Sequence, residues 1–421
     1  MNDDTCSHGD EPLYYHCCAG IGTEPAGVHA LVIGVSRYER HPDSDRCWEE
    51  LMGAAAGAAN FARFLVTNFR DPDQARLRTV RVLLAPAEGE EKHIQVSGPW
   101  QPADYDSVGD AIDAWVKDAD SHYGNLAVMY VSGHGVITKT GAQWAFLGEA
   151  GRVDSRYRYA INLYGIRERM RMVKARANLY VFDCCARVDD QVPEWHGEQG
   201  VGWADRSPGD KAIREKEVVI SARNGTQNYM INAVDATLMS WALVGRAEDD
   251  ASRYLLCTAG EFVDRGQPEV PGRDPEERVY AVTTSRLRSK LLPLMRDLKP
   301  GAQLGGEEPT IHPLVEKAVL TCPYPLPKFR IEIVASQSEL YGILAVQLLT
   351  KEGHDTGLGG QIGKSIELTI YAGLYDLEVT PSASSSILGR TFDLDVDRDK
   401  VVGLRLAANG QLRIVRGASS I

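Results

Sequence analysis

No run in this chain is apolar for long enough to cross a bilayer, which takes about 20 consecutive apolar residues. The opening Met-Asn-Asp-Asp-Thr-Cys is polar and acidic, whereas a secretory signal sets a basic region before an apolar one. A cytoplasmic chain without a membrane partner is therefore expected. Positive charge is also in deficit: 46 Lys and Arg against 58 Asp and Glu leave a net charge of −12. That argues against nucleic acid and acidic membrane surfaces, and it suits a basic ligand. Cysteines are few and irregular: Cys6, Cys17, Cys18, Cys47, Cys184, Cys185, Cys257 and Cys322. Such spacing in a long, cytoplasmic chain predicts free thiols rather than a disulfide frame.

Apolar residues make up 43% of the 421 residues, enough for a large core and two domains. Residues 1–27 read as an N-terminal extension. Its Cys6, His8, His16, Cys17 and Cys18 match no standard zinc-ligand spacing. Val28 to Val35 is a first buried strand. Leu51 to Phe69 has helical spacing, with small residues that allow close packing on a sheet. Strands are expected at Arg78 to Leu84 and Leu126 to Val131, and a helix at Tyr105 to Ala119. A hairpin strand is expected near Gln143 to Leu147, and a basic helix at Ile161 to Val173. The run Leu179 to Phe182 is a central strand. Val218 to Ser221 is another, followed by helices at Ala236 to Ala247 and Glu276 to Leu298. Alternating strands and helices imply a mostly parallel sheet flanked by helices, over residues 28–298. Residues 299–327 are rich in Pro and Gly and read as a linker. From 328 to 421 the apolar period becomes two, as in Phe329, Ile331 and Ile333, predicting an all-β sandwich of roughly seven strands.

Two strand ends carry reactive residues. One ends in Ser132-Gly133-His134-Gly135, the other in Asp183-Cys184-Cys185. In an open α/β sheet, chemistry gathers at such ends. A thiol is only a few per cent ionised at neutral pH, so a cysteine nucleophile needs a base. His134 can supply one. The N–H groups of Gly135 and Cys185 could form a two-donor oxyanion hole, which is usually the largest single term in acyl transfer. Neighbouring side chains on a strand point to opposite faces, so Cys184 and Cys185 cannot both face one cleft. This chemistry calls for no metal and no cofactor.

The paired motifs, about fifty residues apart, resemble those of the caspase-like cysteine peptidases, most closely the metacaspases and bacterial caspase homologues, over Val28 to Leu298. The resemblance implies a caspase-like α/β fold and a Cys-His dyad of Cys185 and His134. It also implies a pocket lined by Asp183 and Ser132, and a groove formed in part by the stretch ending Ser221-Ala222-Arg223-Asn224. An acid at Asp183 implies cleavage after Arg, or more weakly Lys, since a buried carboxylate demands a cationic partner. The chain departs from the pattern at Gly57, where metacaspases carry an Asp nearby, and at Ala186, where they carry His. Asp43 or Asp45 could substitute for the missing acid, though loop charges are usually solvated. Asp189 and Asp190 lack the spaced acidic ladder of a calcium site.

The polar stretch Val188 to Glu215 is long for a connection in a compact domain. It contains Arg206, Lys211 and Arg214, each a candidate processing site for the chain itself or for an upstream activating protease. The expected partner is a protein substrate with a basic residue before the cut. The alternatives are a catalytically silent scaffold of the same fold and a binding protein acting through its β-sandwich.

Overall fold

The computed structural model describes residues 15–16, 26–39, 49–71, 75–95, 98–138, 142–150, 159–184, 187–188, 216–221, 235–249, 254–264, 278–298, 310–313, 319–321, 328–350, 355–371, 373–382, 387–396, 400–407, 409 and 411–416. The chain divides into two compact units. One comprises Met1–Leu256 and Thr283–Cys322, the other Cys257–Val282 and Pro323–Ile421.

The first unit is built on a central sheet. Its elements begin with β1 (Tyr15–His16), β2 (Gly27–Val35), α1 (Ala54–Thr67), β3 (Arg76–Ala85), β4 (Gln101–Pro102), α2 (Tyr105–Asp120) and β5 (Leu126–Gly133). They continue with β6 (Gly135–Ile137), β7 (Gln143–Phe146), β8 (Ala160–Asn162), α3 (Leu163–Met170), β9 (Ala177–Cys184), β10 (Arg187–Val188), β11 (Lys216–Ser221) and α4 (Leu238–Val244). The order across the sheet is β1-β3-β2-β5-β9-β11, with β4 also paired to β3. All these pairings are parallel except that of β1 with β3. Strands β2, β5 and β9 are buried along their whole length, which is why they read as unbroken apolar runs.

Helices cover both faces. Phe61 of α1 stacks on Tyr130 of β5, ring centroids 4.5 Å apart. The neighbouring residues Met129 and Val131 point the other way, into a core with Val108, Ile112 and Trp115 of α2 and Ile166 and Met170 of α3. Small residues in α1 permit close approach to the sheet: a Cβ on Gly34 of β2 would lie 2.6 Å from the Ala58 Cβ.

Two expectations need correction. The helix expected over Glu276 to Leu298 begins instead at Thr284. After the four-residue helix α5 (Leu255–Thr258), β12 (Gly260–Asp264) pairs antiparallel with β13 (Arg278–Thr283), and only then does α6 (Thr284–Leu298) follow. The Thr283 hydroxyl accepts the Arg286 N–H at 3.3 Å, so one side chain turns strand into helix with no Gly or Pro between. The stretch expected as a linker holds β14 (Thr310–Pro313) and β15 (Val319–Thr321). Strand β14 adds antiparallel to β11 at the edge of the central sheet, where Pro313 is tolerated.

In the second unit, two four-stranded sheets form a sandwich. They are built from β16 (Lys328–Ala335), β17 (Leu344–Thr350), β18 (Asp355–Gln361), β19 (Ser365–Tyr371), β20 (Gly373–Pro381), β21 (Arg390–Val396), β22 (Lys400–Leu406) and β23 (Leu412–Arg416). The orders are β19-β16-β22-β23 and β18-β17-β20-β21. Every pairing is antiparallel except β16 with β22. Alternate residues, among them Ile331, Ile333, Leu377, Val379 and Leu404, fill the core between the sheets. Among the described residues the sandwich has eight strands, where roughly seven were expected.

Candidate active site

The site is organised by two neighbouring strands whose parallel pairing runs to their last residues. Ser132 stands opposite Asp183, and Gly133 opposite Cys184. Beyond this end, β10 pairs parallel with β6, Arg187 opposite Val136 and Val188 opposite Ile137. The offset between partners is 51 residues on both sides, from 133 to 184 and from 136 to 187. His134 and Cys185 are separated by the same interval and fall inside this bracket. Cys185 itself lies outside the described residues. So do Asp43, Asp45, Ala186, Asp189, Asp190, Arg206, Lys211 and Arg214, along with residues 1–14 and 222–224.

His134 is partly exposed, and hydrogen bonds hold both its main chain and its ring. Its backbone N–H donates to the Tyr38 hydroxyl at 2.7 Å, and that hydroxyl donates to the Val35 carbonyl at 3.0 Å. Gly133 makes room for this bond: a Cβ there would stand 2.8 Å from the Tyr38 oxygen. The imidazole Nε2 lies 2.9 Å from the Glu49 carbonyl. A carbonyl only accepts, so Nε2 carries the proton and Nδ1 keeps a lone pair. The Tyr38 ring lies against the imidazole, centroids 4.9 Å apart. Burial lowers the His134 pKa below its ordinary value, opposed by the hydrogen bond to the Glu49 carbonyl and the Glu49 charge. The ring is neutral at neutral pH, the form a base requires.

Asp183 and Cys184 point to opposite faces of β9, as the alternation requires. Cys184 is fully buried in the α2–α3 core, its thiol 3.4 Å from the Val131 carbonyl. Asp183 is fully buried on the α1 side. Its Oδ2 accepts the Tyr130 hydroxyl at 2.8 Å and the Thr237 hydroxyl as well. Burial raises the Tyr130 pKa far above its ordinary value, and the Asp183 charge raises it further. Tyr130 is therefore a permanent neutral donor. Thr237 is the N-cap of α4, in a reciprocal capping box with Ser240. Gly57 lets that cap come close to α1, since a Cβ there would lie 2.5 Å from the Ser240 hydroxyl oxygen. The start of α4 thus fills the space beside Gly57.

Of the remaining sites named from the sequence, Ser132 and Ser221 lie on the central sheet and Gly135 on the separate sheet β10-β6-β7-β8. Ser132 is fully buried beside Asp183. Gly135 is buried at the start of β6, opposite Ala145. Ser221 is buried at the end of β11, opposite Phe182. Among the described residues, Cys184 and Cys257 are buried, and no helix is long and apolar enough to span a membrane. The sequence reading missed Tyr38, Glu49, Tyr130 and Thr237. Only Thr237 carried a signal, a threonine before an apolar helix with a serine three residues on.

No protein-family model matches this chain. No curated protein matches it either. Among solved structures, the chain is similar to caspase-1 from Spodoptera frugiperda at 7% identity, with 68% of this chain and 88% of that one covered and a TM-score of 0.33. So distant a likeness carries no weight beside the geometry of the site.

Proposed function

We propose that this protein is a cysteine endopeptidase of the caspase-like type, with Cys185 as nucleophile and His134 as base, cutting after Arg or more weakly Lys. The observation that carries the reading is the pair of strand registers bracketing these two residues with one offset. The state of His134 supports it further. With Nε2–H on the Glu49 carbonyl, Nδ1 takes the thiol proton; the thiolate attacks the substrate carbonyl, and the imidazolium returns the proton to the leaving amine. The N–H groups of Gly135 and Cys185 would hold the oxyanion. Asp183 supports the basic preference as a negative charge withdrawn from water. Ser132 and Ser221 would line the same pocket.

The deciding experiment incubates purified protein with a positional-scanning peptide library, with Cys185→Ala as control. Cleavage after Arg that disappears in the variant is expected. Cleavage after Asp alone would overturn the preference. Failure of Cys185 to label with a thiol-directed peptidyl warhead would favour the silent scaffold. We also infer self-processing at Arg206, Lys211 or Arg214. Mass spectrometry of the active chain beside Cys185→Ala checks this: cuts in the active sample alone are expected, and cuts in both would point to an outside protease.

A further inference from the structure

Glu90 is fully buried and takes no part in the chemistry above. Its Oε1 accepts the Gly53 N–H at 3.0 Å, the Ala56 N–H at 2.9 Å and the Ser36 hydroxyl at 3.0 Å. Its Oε2 accepts the Ala87 N–H at 2.9 Å. Four donors meet the carboxylate, three on Oε1 and one on Oε2, and none of them carries a charge. Two of those donors are orphan N–H groups at the start of α1, where Gly53 has a φ of 93° and no side chain with which to cap. Glu90 thus does the work of an N-cap from a distant point in the chain.

A serine at the cap position would do that work without burying a charge. What Glu90 adds is a junction of three segments. Ser36 donates to Glu90, accepts the Ala55 N–H on its hydroxyl at 2.8 Å, and accepts the Leu51 N–H on its carbonyl at 2.8 Å. Ser36 is in turn tied to the end of β3, its N–H 2.9 Å from the Ala85 carbonyl. Residues 51 to 56 are therefore pinned on both sides of Gly53. Two residues before Leu51 stands Glu49, whose carbonyl receives the His134 Nε2–H.

We propose that Glu90 is a positioning residue for the base: it holds the segment from Leu51 to Ala56 so that the Glu49 carbonyl meets His134 Nε2 and leaves Nδ1 as the proton acceptor. The proposal rests on the reading of His134 as base. It explains why an acid is kept where nothing charged meets it, and why it reaches both the loop and the helix start.

The test measures kcat, KM and the pH profile of kcat/KM for Glu90→Gln and Ser36→Ala, below the Tm of each variant and corrected for folded fraction. Glu90→Gln keeps the size of the side chain but presents an amide to one of the N–H groups. Its kcat is expected to fall about tenfold with KM unchanged within about twofold, the size of a modest general-base defect. The acidic limb should move to lower pH, because the Glu49 carbonyl is what holds the His134 pKa up against burial. Ser36→Ala should shift the limb the same way by less, and it decides the matter if Glu90→Gln does not fold. A lowered Tm with wild-type kcat and an unmoved acidic limb would make Glu90 a structural cap only and overturn the proposal. Should His134→Ala and Cys185→Ala remain active, the reading of the dyad fails instead, so the two failures are told apart.

Discussion

His134 and Asp183 stand at the ends of adjacent strands, yet they are held in opposite ways. The imidazole of His134 is partly exposed and oriented by a main-chain carbonyl. The carboxylate of Asp183 is fully buried and gripped by two side-chain hydroxyls, one from a strand and one from a helix cap. A group held by the main chain tolerates substitution at its partner. A group held by side chains does not, because removing either partner leaves a buried polar atom unmatched. In the proposed roles, a base at His134 needs freedom to exchange a proton with solvent and substrate, whereas a pocket anion at Asp183 needs a fixed charge.

Removing the groups themselves should have the largest effect. Cys185→Ala should abolish turnover, and His134→Ala should lower kcat by about 10²- to 10⁴-fold, with circular dichroism unchanged. Retained activity in either would break the comparison at its chemical end. Next in size, Asp183→Asn should lower kcat/KM for Arg substrates by about 10- to 100-fold, the worth of one or two charge-assisted hydrogen bonds. Tm should change less, because both hydroxyls meet the one oxygen, Oδ2, whose place the Asn carbonyl oxygen can take. An unchanged Arg preference would leave Asp183 a structural anchor only. Cys184→Ala should keep most activity and cost about 1 kcal/mol in denaturant unfolding, as expected for a small group lost from the core. Inactivity there would reverse the assignment of the two cysteines.

The smallest effect sharpens the contrast. Glu49→Ala keeps the carbonyl and removes only a charge that raises the His134 pKa. Near-wild-type kcat is expected, with a slight downward move of the acidic limb. In the wild type that limb is expected below the ordinary histidine value of 6.5, since burial favours the neutral ring. Activity should fall as pH drops through the His134 pKa and protonates Nδ1. A large loss of kcat in Glu49→Ala would mean that the side chain, not the carbonyl, sets the base.

Much of the first unit was legible because its central strands are buried on both faces, and an unbroken apolar run marks them. The runs from Leu126 to Val131 and from Leu179 to Phe182 each stop at reactive residues, and that is how His134 and Asp183 stood out. The sandwich was legible from its period of two, as at Ile331 and Ile333. The losses have a common cause. Strand β14 pairs through its main chain, which composition does not report. Glu90 reads as one acid in a polar loop, because its partners are mostly backbone N–H groups of other segments. Tyr130 reads as one more apolar residue in a strand, and only its neighbour across the sheet reveals the hydroxyl as a donor.

The interval of 51 residues between partners is closed at both ends by direct strand pairing. Between those ends the chain makes an excursion through β6, β7, β8 and α3 before it returns as β9. Because the return is fixed by the β5–β9 ladder, the length of the excursion is free to vary. Residues inserted between β7 and β8 would change the numbering of everything after them without moving His134 relative to its strand neighbour. The ladder works as a ruler laid across the sheet, and the chain between its marks can be let out or taken in like slack in a rope.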